Sequence, residues 1–180
     1  LNAPVLQTER LTLRAHTVAD IDPGLAMWGD PIVTRHIGGI KSVTRADSWQ
    51  RLLRYAGMWP LTGYGYWAIE EFATGRYVGD VGFGEFKRTI EPTIAGRPEI
   101  GWALSPEFHR RGFATECVRA ALAGSDAHMP EPLTVCTINV ANTASIRVAE
   151  KTGYRLRVET RFLDVPVLLF ERSSGKPEET

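Results

Sequence analysis

The run His109-Arg110-Arg111-Gly112-Phe113-Ala114-Thr115 lies where a strand, a short loop and a helix should meet, and its residue types suit a phosphate group. The first amides of a helix lack internal acceptors, and the helix dipole places partial positive charge at that end. An anion binds there when no side chain blocks its approach. Gly112 would let a ligand come close to the backbone and Ala114 keeps the next position small. Thr115 offers a hydroxyl, and Arg110 and Arg111 add charge. A solvated basic loop ended by a glycine would look the same, so the turn alone leaves both open. Two phosphate motifs are excluded: the turn is not G-x-G-x-x-G, and no G-x-x-x-x-G-K-[S/T] occurs anywhere in the chain.

Other residues able to do chemistry are spread more widely. In Glu99-Ile100-Gly101-Trp102-Ala103-Leu104, strand alternation puts Glu99, Gly101 and Ala103 on one face and Ile100, Trp102 and Leu104 on the other. Asn142 followed three residues later by Ser145 is good helix-capping chemistry in its own right. Trp28, His36, Trp49, Tyr55 and Trp59 crowd one region; aromatic residues at helical spacing are expected in a core, and His36 is the one expected to face a ligand. The two cysteines, Cys117 and Cys136, form neither a disulfide framework nor a zinc site and read as reduced, buried thiols. No metal is expected.

The elements that must position these residues follow from pattern. Glu9 to Thr17 alternates as a first strand. Asp20 or Asp22 caps a short helix through Trp28, and after a Gly38-Gly39 break Thr44 caps a second helix. Tyr64 to Phe72 and Arg76 to Phe86 make a hairpin, and Arg88 to Gly96 a loop before the Glu99 strand. From Gly112, the apolar stripe Phe113, Cys117, Val118, Ala121 and Leu122 marks a helix ending near Gly124. Leu133 to Val140 is a strand, Asn142 to Lys151 a helix closed by Gly153, and Tyr154 to Leu163 with Val165 to Glu171 a final strand pair. Antiparallel hairpins followed by strand–helix–strand units predict an α/β (α+β) mixed sheet of about seven strands.

The 180 residues suit a single domain over 1–172, with a polar tail at 173–180 expected to fray. Lysine plus arginine and aspartate plus glutamate are 21 each, which argues against a nucleic-acid binder. No apolar run is long enough to span a membrane and no secretory pattern is visible, so a cytoplasmic protein is the expectation.

His109 to Ala114 resembles the Q/R-x-x-G-x-G/A signature of the GNAT superfamily of N-acyltransferases, with His109 in place of the commoner Gln or Arg. Asn139 to Tyr154 looks like that superfamily's second signature, in the N-x-x-S form with a later K-x-G-[F/Y] of the ribosomal-protein N-terminal acetyltransferase (Rim-type) branch. Thr8-Glu9-Arg10-Leu11-Thr12-Leu13-Arg14, Trp67-Ala68-Ile69 and Val78-Gly79-Asp80-Val81-Gly82 match the same branch. The resemblance covers about residues 8–172.

It implies a twisted, mostly antiparallel sheet with helices on both faces, whose fourth and fifth strands splay apart. Coenzyme A would enter that split, its pyrophosphate on His109, Arg110, Arg111, Gly112, Phe113, Ala114 and Thr115. Its pantetheine would pair with the open edge at Trp102, Ala103 and Leu104 and touch Asn142. Acetyl-CoA would be the acyl donor and a primary amine the acceptor, either a peptide N-terminus or a small molecule. Attack needs a neutral amine, so a base is useful. Resemblance points to Glu99, with Asp80 and Glu85 as weaker rivals. Ser145 is the implied acid to the departing sulfur, with Tyr154 next. A salt-bridged strand-end glutamate, and a catalytically inactive acyl-CoA-binding or sensing domain, stay open beside these. Self-association is common in the family, but nothing in the sequence fixes a homodimer.

Overall fold

Period-two alternation and capped amphipathic helices assemble here into one sheet with helices on both faces. The computed structural model describes residues 3–37, 43–129 and 133–174. The strands are β1 (Leu6–Gln7), β2 (Leu11–Arg14), β3 (Tyr66–Glu71), β4 (Tyr77–Gly84), β5 (Glu99–Leu104), β6 (Leu133–Asn139), β7 (Arg155–Phe162) and β8 (Val165–Ser173). The helices are α1 (Ile21–Gly29), α2 (Pro31–Thr34), α3 (Arg45–Thr62), α4 (Phe113–His128) and α5 (Thr143–Lys151). Strand order is β1-β2-β3-β4-β5-β6-β8-β7, and every neighbouring pair is antiparallel except β5 and β6.

That parallel pair organises the molecule. β5 pairs with β4 along its whole length, and β6 pairs with β8 along its whole length. Between β5 and β6 there is one register pair, Glu99 with Val135, beside a Val135 N–H to Pro98 carbonyl bond of 3.0 Å. Beyond Glu99 the strands part, leaving the backbone edge from Ile100 to Leu104 without a strand partner on that side. These are the fourth and fifth strands of the expected seven, displaced by one because β1 adds an eighth.

The alternation of β5 sorts its side chains as expected. Ile100 and Leu104 enter the main core, where Phe113, Cys117, Val118, Ala121 and Leu122 of α4 cover them. Ala103 faces the other way and packs with Met27, Trp28 and Val33 under α1 and α2. Ile90 and Ile94, from the loop after β4, pack on Val135, Val167 and Leu169, fastening that loop across β6 and β8.

Most boundaries fall within two residues of expectation, the short helix α2 is an addition, and β8 runs on to Ser173, but three boundaries differ more. The first strand is shorter than Glu9 to Thr17, because the Thr8 side chain closes a turn onto the Leu11 N–H at 2.9 Å and creates β1. Its far end gives way to a 3-10 turn, Val18–Asp20, held by the Thr17 N–H on Asp20 at 2.7 Å. Helix α4 does not stop at Gly124 but continues to His128, since buried Ser125 satisfies its hydroxyl on the Leu122 carbonyl at 2.9 Å and Met129 joins the main core. A Cβ at Gly124 would sit 2.9 Å from Leu6 Cδ1, so this glycine admits β1 against the helix rather than ending it. The Gly38-Gly39 break, residues 175–180 of the tail and the start of the chain lie outside the described residues.

Candidate active site

The turn before α4 is shaped by backbone conformation. Gly112 is the N-cap with φ of 82°, a left-handed value that favours glycine, and no side chain caps the helix. The opening amides of α4, at Phe113, Ala114 and Thr115, therefore face no side-chain acceptor. A Cβ on Gly112 would meet only Arg10 Nη2, at 3.4 Å, so the space before the helix is clear. The side chains around it divide by task. His109 Nε2 donates to the Leu104 carbonyl at 2.8 Å, tying the turn to the end of β5. Arg111 pairs with Glu71 at 2.5 Å and lies over the Phe113 ring at 4.4 Å. Phe113 itself is core. Arg110 is exposed, has φ of 60°, and has no partner among the described residues. An anion here would be held by amides, with Arg110 the one free guanidinium of the turn.

An uncapped helix start directly follows the unpaired edge of β5. Both features suit coenzyme A, whose pyrophosphate needs donors and whose pantetheine amides need a strand-like partner. The side chains of Ala103 and Leu104 are buried and Trp102 is half-buried, so these residues can offer their backbone.

Glu99 lies where β5 and β6 diverge and is 4% exposed. Its Oε2 accepts from Arg88 Nε at 2.7 Å, and its Oε1 accepts from the Thr137 hydroxyl on β6. The carboxylate is thus buried, ion-paired and bridged across the closed end of the split, where the two strands begin to part. Neither partner was anticipated from sequence. Arg88 belongs to a loop with no period, and Thr137 looks like any strand threonine.

Asn142 and Ser145 open α5, which follows β6, the other wall of the split. Asn142 Oδ1 accepts from the Ser145 N–H at 3.2 Å, so the capping role exists as expected. The Ser145 hydroxyl is half-buried and has no partner among the described residues. Tyr154 is core, its hydroxyl bonded to Thr134 at 2.7 Å, and burial drives its ionisation well above the ordinary phenol range.

The rival carboxylates are engaged elsewhere. Asp80 accepts from Trp28 Nε1 at 2.9 Å, from the Tyr77 hydroxyl at 2.5 Å and from His16 Nε2 at 2.9 Å. Glu85 holds Lys87 and the Gly96 N–H, which keep its carboxyl below the usual carboxylate range. Among the aromatic residues of this region, Trp59 is core and donates to the Tyr66 carbonyl, and Trp49 is exposed. Tyr55 stacks on Tyr66 with ring centroids 4.2 Å apart, and burial lifts its hydroxyl to about 12. His36 is half-buried in the turn after α2. Among the described residues no His, Cys, Asp and Glu grouping could hold a metal, and no helix is long and apolar enough to cross a membrane.

The class this geometry defines, a split sheet with an uncapped helix at its open edge, is the one found by comparison. Residues 10–155 match the acetyltransferase (GNAT) domain family, and the chain belongs to that family. It is 27% identical to the N-acetyltransferase YoaA of Bacillus subtilis (strain 168), itself uncharacterised, over 154 residues covering 84% of this chain and 83% of YoaA. A GnaT-family protein of Bordetella pertussis shares the fold with a TM-score of 0.82 and 30% identity, covering 95% of this chain and all (100%) of its own. RimL, a ribosomal L7/L12 alpha-N-protein acetyltransferase solved with coenzyme A, has the same fold at a TM-score of 0.76 and 16% identity, covering 94% of this chain and 98% of its own. Membership supports acyl transfer to an amine as the general chemistry.

Proposed function

We propose that this chain transfers an acetyl group from acetyl-CoA to a primary amine, on a peptide N-terminus or a small molecule. The observation that carries the proposal is the edge of β5, open from Ile100 to Leu104 and ending at the uncapped start of α4. Acetyl-CoA supplies an activated carbonyl carbon. The chain's residues do the rest. The amides of Phe113, Ala114 and Thr115, with Arg110, hold the pyrophosphate, and the backbone of Trp102, Ala103 and Leu104 pairs with the pantetheine. Asn142 adds a side-chain contact. Glu99 Oε2 takes a proton from the amine, and Ser145 Oγ gives one to the leaving sulfur. Backbone N–H groups of β5 can hold charge that develops on the carbonyl oxygen.

A second reading, binding without catalysis, draws support from Glu99, whose two oxygens are both engaged. A mass-spectrometric screen of peptides and small amines incubated with protein and acetyl-CoA separates the two. Acetylated products formed faster than in protein-free controls support transfer. None across every amine class, from a protein whose melting temperature coenzyme A raises, supports binding alone.

A further inference from the structure

Arg88 occupies one oxygen of Glu99, the carboxylate proposed to receive the amine's proton. Its Nε donates to Glu99 Oε2 at 2.7 Å, and Glu99 Oε1 is taken by Thr137. With both contacts in place and Glu99 only 4% exposed, an amine has no open approach to this carboxylate. Thr137 is fixed in β6, whereas Arg88 belongs to the loop after β4 and its side chain is 29% exposed. Its guanidinium lies 5.0 Å from the Phe86 ring centroid and 4.7 Å from that of Phe162. Two aromatic faces and a carboxylate form a site for any cation. A small surface cleft lined by Glu85, Phe86, Lys87, Arg88, Ile94, Ala95, Arg97 and Glu99 adjoins it, so an incoming ammonium takes the volume that the Arg88 side chain vacates. Lys87 pairs with Glu85 and Arg97 with Glu171, and Arg54 lies 5.9 Å from the Phe86 ring centroid, so Glu99 is the carboxylate here for which an incoming cation competes with Arg88.

We infer that Arg88 occupies the ammonium site of the acceptor, and that an alkylammonium substrate binds by displacing it from Glu99 between Phe86 and Phe162. The inference rests on the acetyl-transfer reading above and names the acceptor as a primary alkylammonium. With Arg88 displaced, one ammonium proton passes to Glu99 Oε2, and the neutral nitrogen bonds to the acyl carbon as the carbon–sulfur bond breaks. A second N–H proton leaves as the amide forms, and the sulfur departs with the proton of Ser145 Oγ. The second proton restores Ser145, and Glu99 returns its own to solvent. Displacing Arg88 weakens apparent affinity by the fraction of time the site is open.

The test is calorimetric titration of propylammonium into the full chain without acyl donor. Arg88→Gln removes the competing charge, and Arg88→Met retains an apolar stem between the two rings should the glutamine variant fold poorly. Either should bind propylammonium about tenfold or more tightly than wild type, and adding Glu99→Gln should abolish the gain. The wild-type Arg88 Nε–H resonance should shift during the titration. Equal or weaker binding by the variants, no binding by any protein, or an unmoved Arg88 resonance would overturn the inference. Failure of acetyl transfer is read separately, from thiol release, and leaves this comparison of affinities intact.

Discussion

Glu99 carries the heaviest chemical demand on a single side chain, being 4% exposed and expected to accept a proton. Replacing it by Gln keeps size and polarity but removes the proton acceptor, so turnover should fall by about 10²–10⁴-fold at neutral pH. Raising the pH should restore part of the loss, because more amine arrives already neutral. The rise in melting temperature caused by coenzyme A should be unchanged. A fall in turnover of less than about threefold, far below the usual base contribution, would remove Glu99 from the mechanism. At Gly112 the positive φ changes how the cradle should be probed. A β-branched residue would strain the backbone as well as fill the space, whereas Asn tolerates the left-handed region. Gly112→Asn should therefore keep the fold and lose most of the melting shift with coenzyme A. A retained shift would place the pyrophosphate elsewhere. The positions of both residues were legible in sequence, from strand alternation and from a glycine opening an apolar stripe. Their surroundings were not. Arg88 and Thr137 lie 11 and 38 residues from Glu99, and only tertiary pairing brings them to it.

Helices declared themselves through their caps more reliably than through their ends. Thr44 and Asp47 form a capping box at the start of α3, as the threonine suggested, and Asn142 accepts the Ser145 N–H at α5. Thr44→Ala should cost about 1 kcal/mol, lowering the melting temperature by about 2–4 °C in a domain of this size. A change below half a degree would mean the box contributes nothing. Asn142 has two proposed tasks that substitution can separate. Ser keeps an oxygen for the cap and Ala does not, so only Asn142→Ala should lower stability, by about 1 kcal/mol. Both should raise the apparent KM for acetyl-CoA. If Asn142→Ser shows wild-type KM, the asparagine serves the helix alone. The end of α4 was misread because a glycine inside a helix and a glycine closing one look alike in sequence. Leu6, more than a hundred residues earlier, requires the missing side chain at Gly124. β1 escaped notice for a related reason, since two residues are too few to show a period.

At the scale of the whole molecule, buried ionisable groups set the limits of stability. Burial raises the pKa of Tyr55, Tyr66, Tyr77, Tyr154, Cys117 and Cys136, opposing their ionisation. These groups fold in their neutral forms, so their contribution is intact below the ordinary thiol range of about 8.5 and is lost as pH climbs past it and past about 10 for phenols. Burial opposes the ionised form of Asp20 and of Glu116. Arg14 and the Thr17 N–H outweigh it for Asp20, and Thr8 and Arg10 do so for Glu116. Thr74 and then Arg111 hold Glu71 down in the same direction. That contribution is present above about pH 4 and is lost as pH falls further. Urea melts across pH should therefore show a plateau near neutrality with losses on both sides; a stability still rising at pH 10 would contradict the burial of these phenols and thiols.

The split between β5 and β6 is the whole-molecule feature on which the proposed function depends, and amine-dependent release of free thiol from acetyl-CoA tests it most directly. Wild-type protein with acetyl-CoA and a primary amine should release thiol well above the rate without amine, and Gly112→Asn should lose that excess at low acetyl-CoA concentration. Release that ignores the amine, or none with any peptide or small amine by a protein that still binds coenzyme A, would contradict transfer at this site.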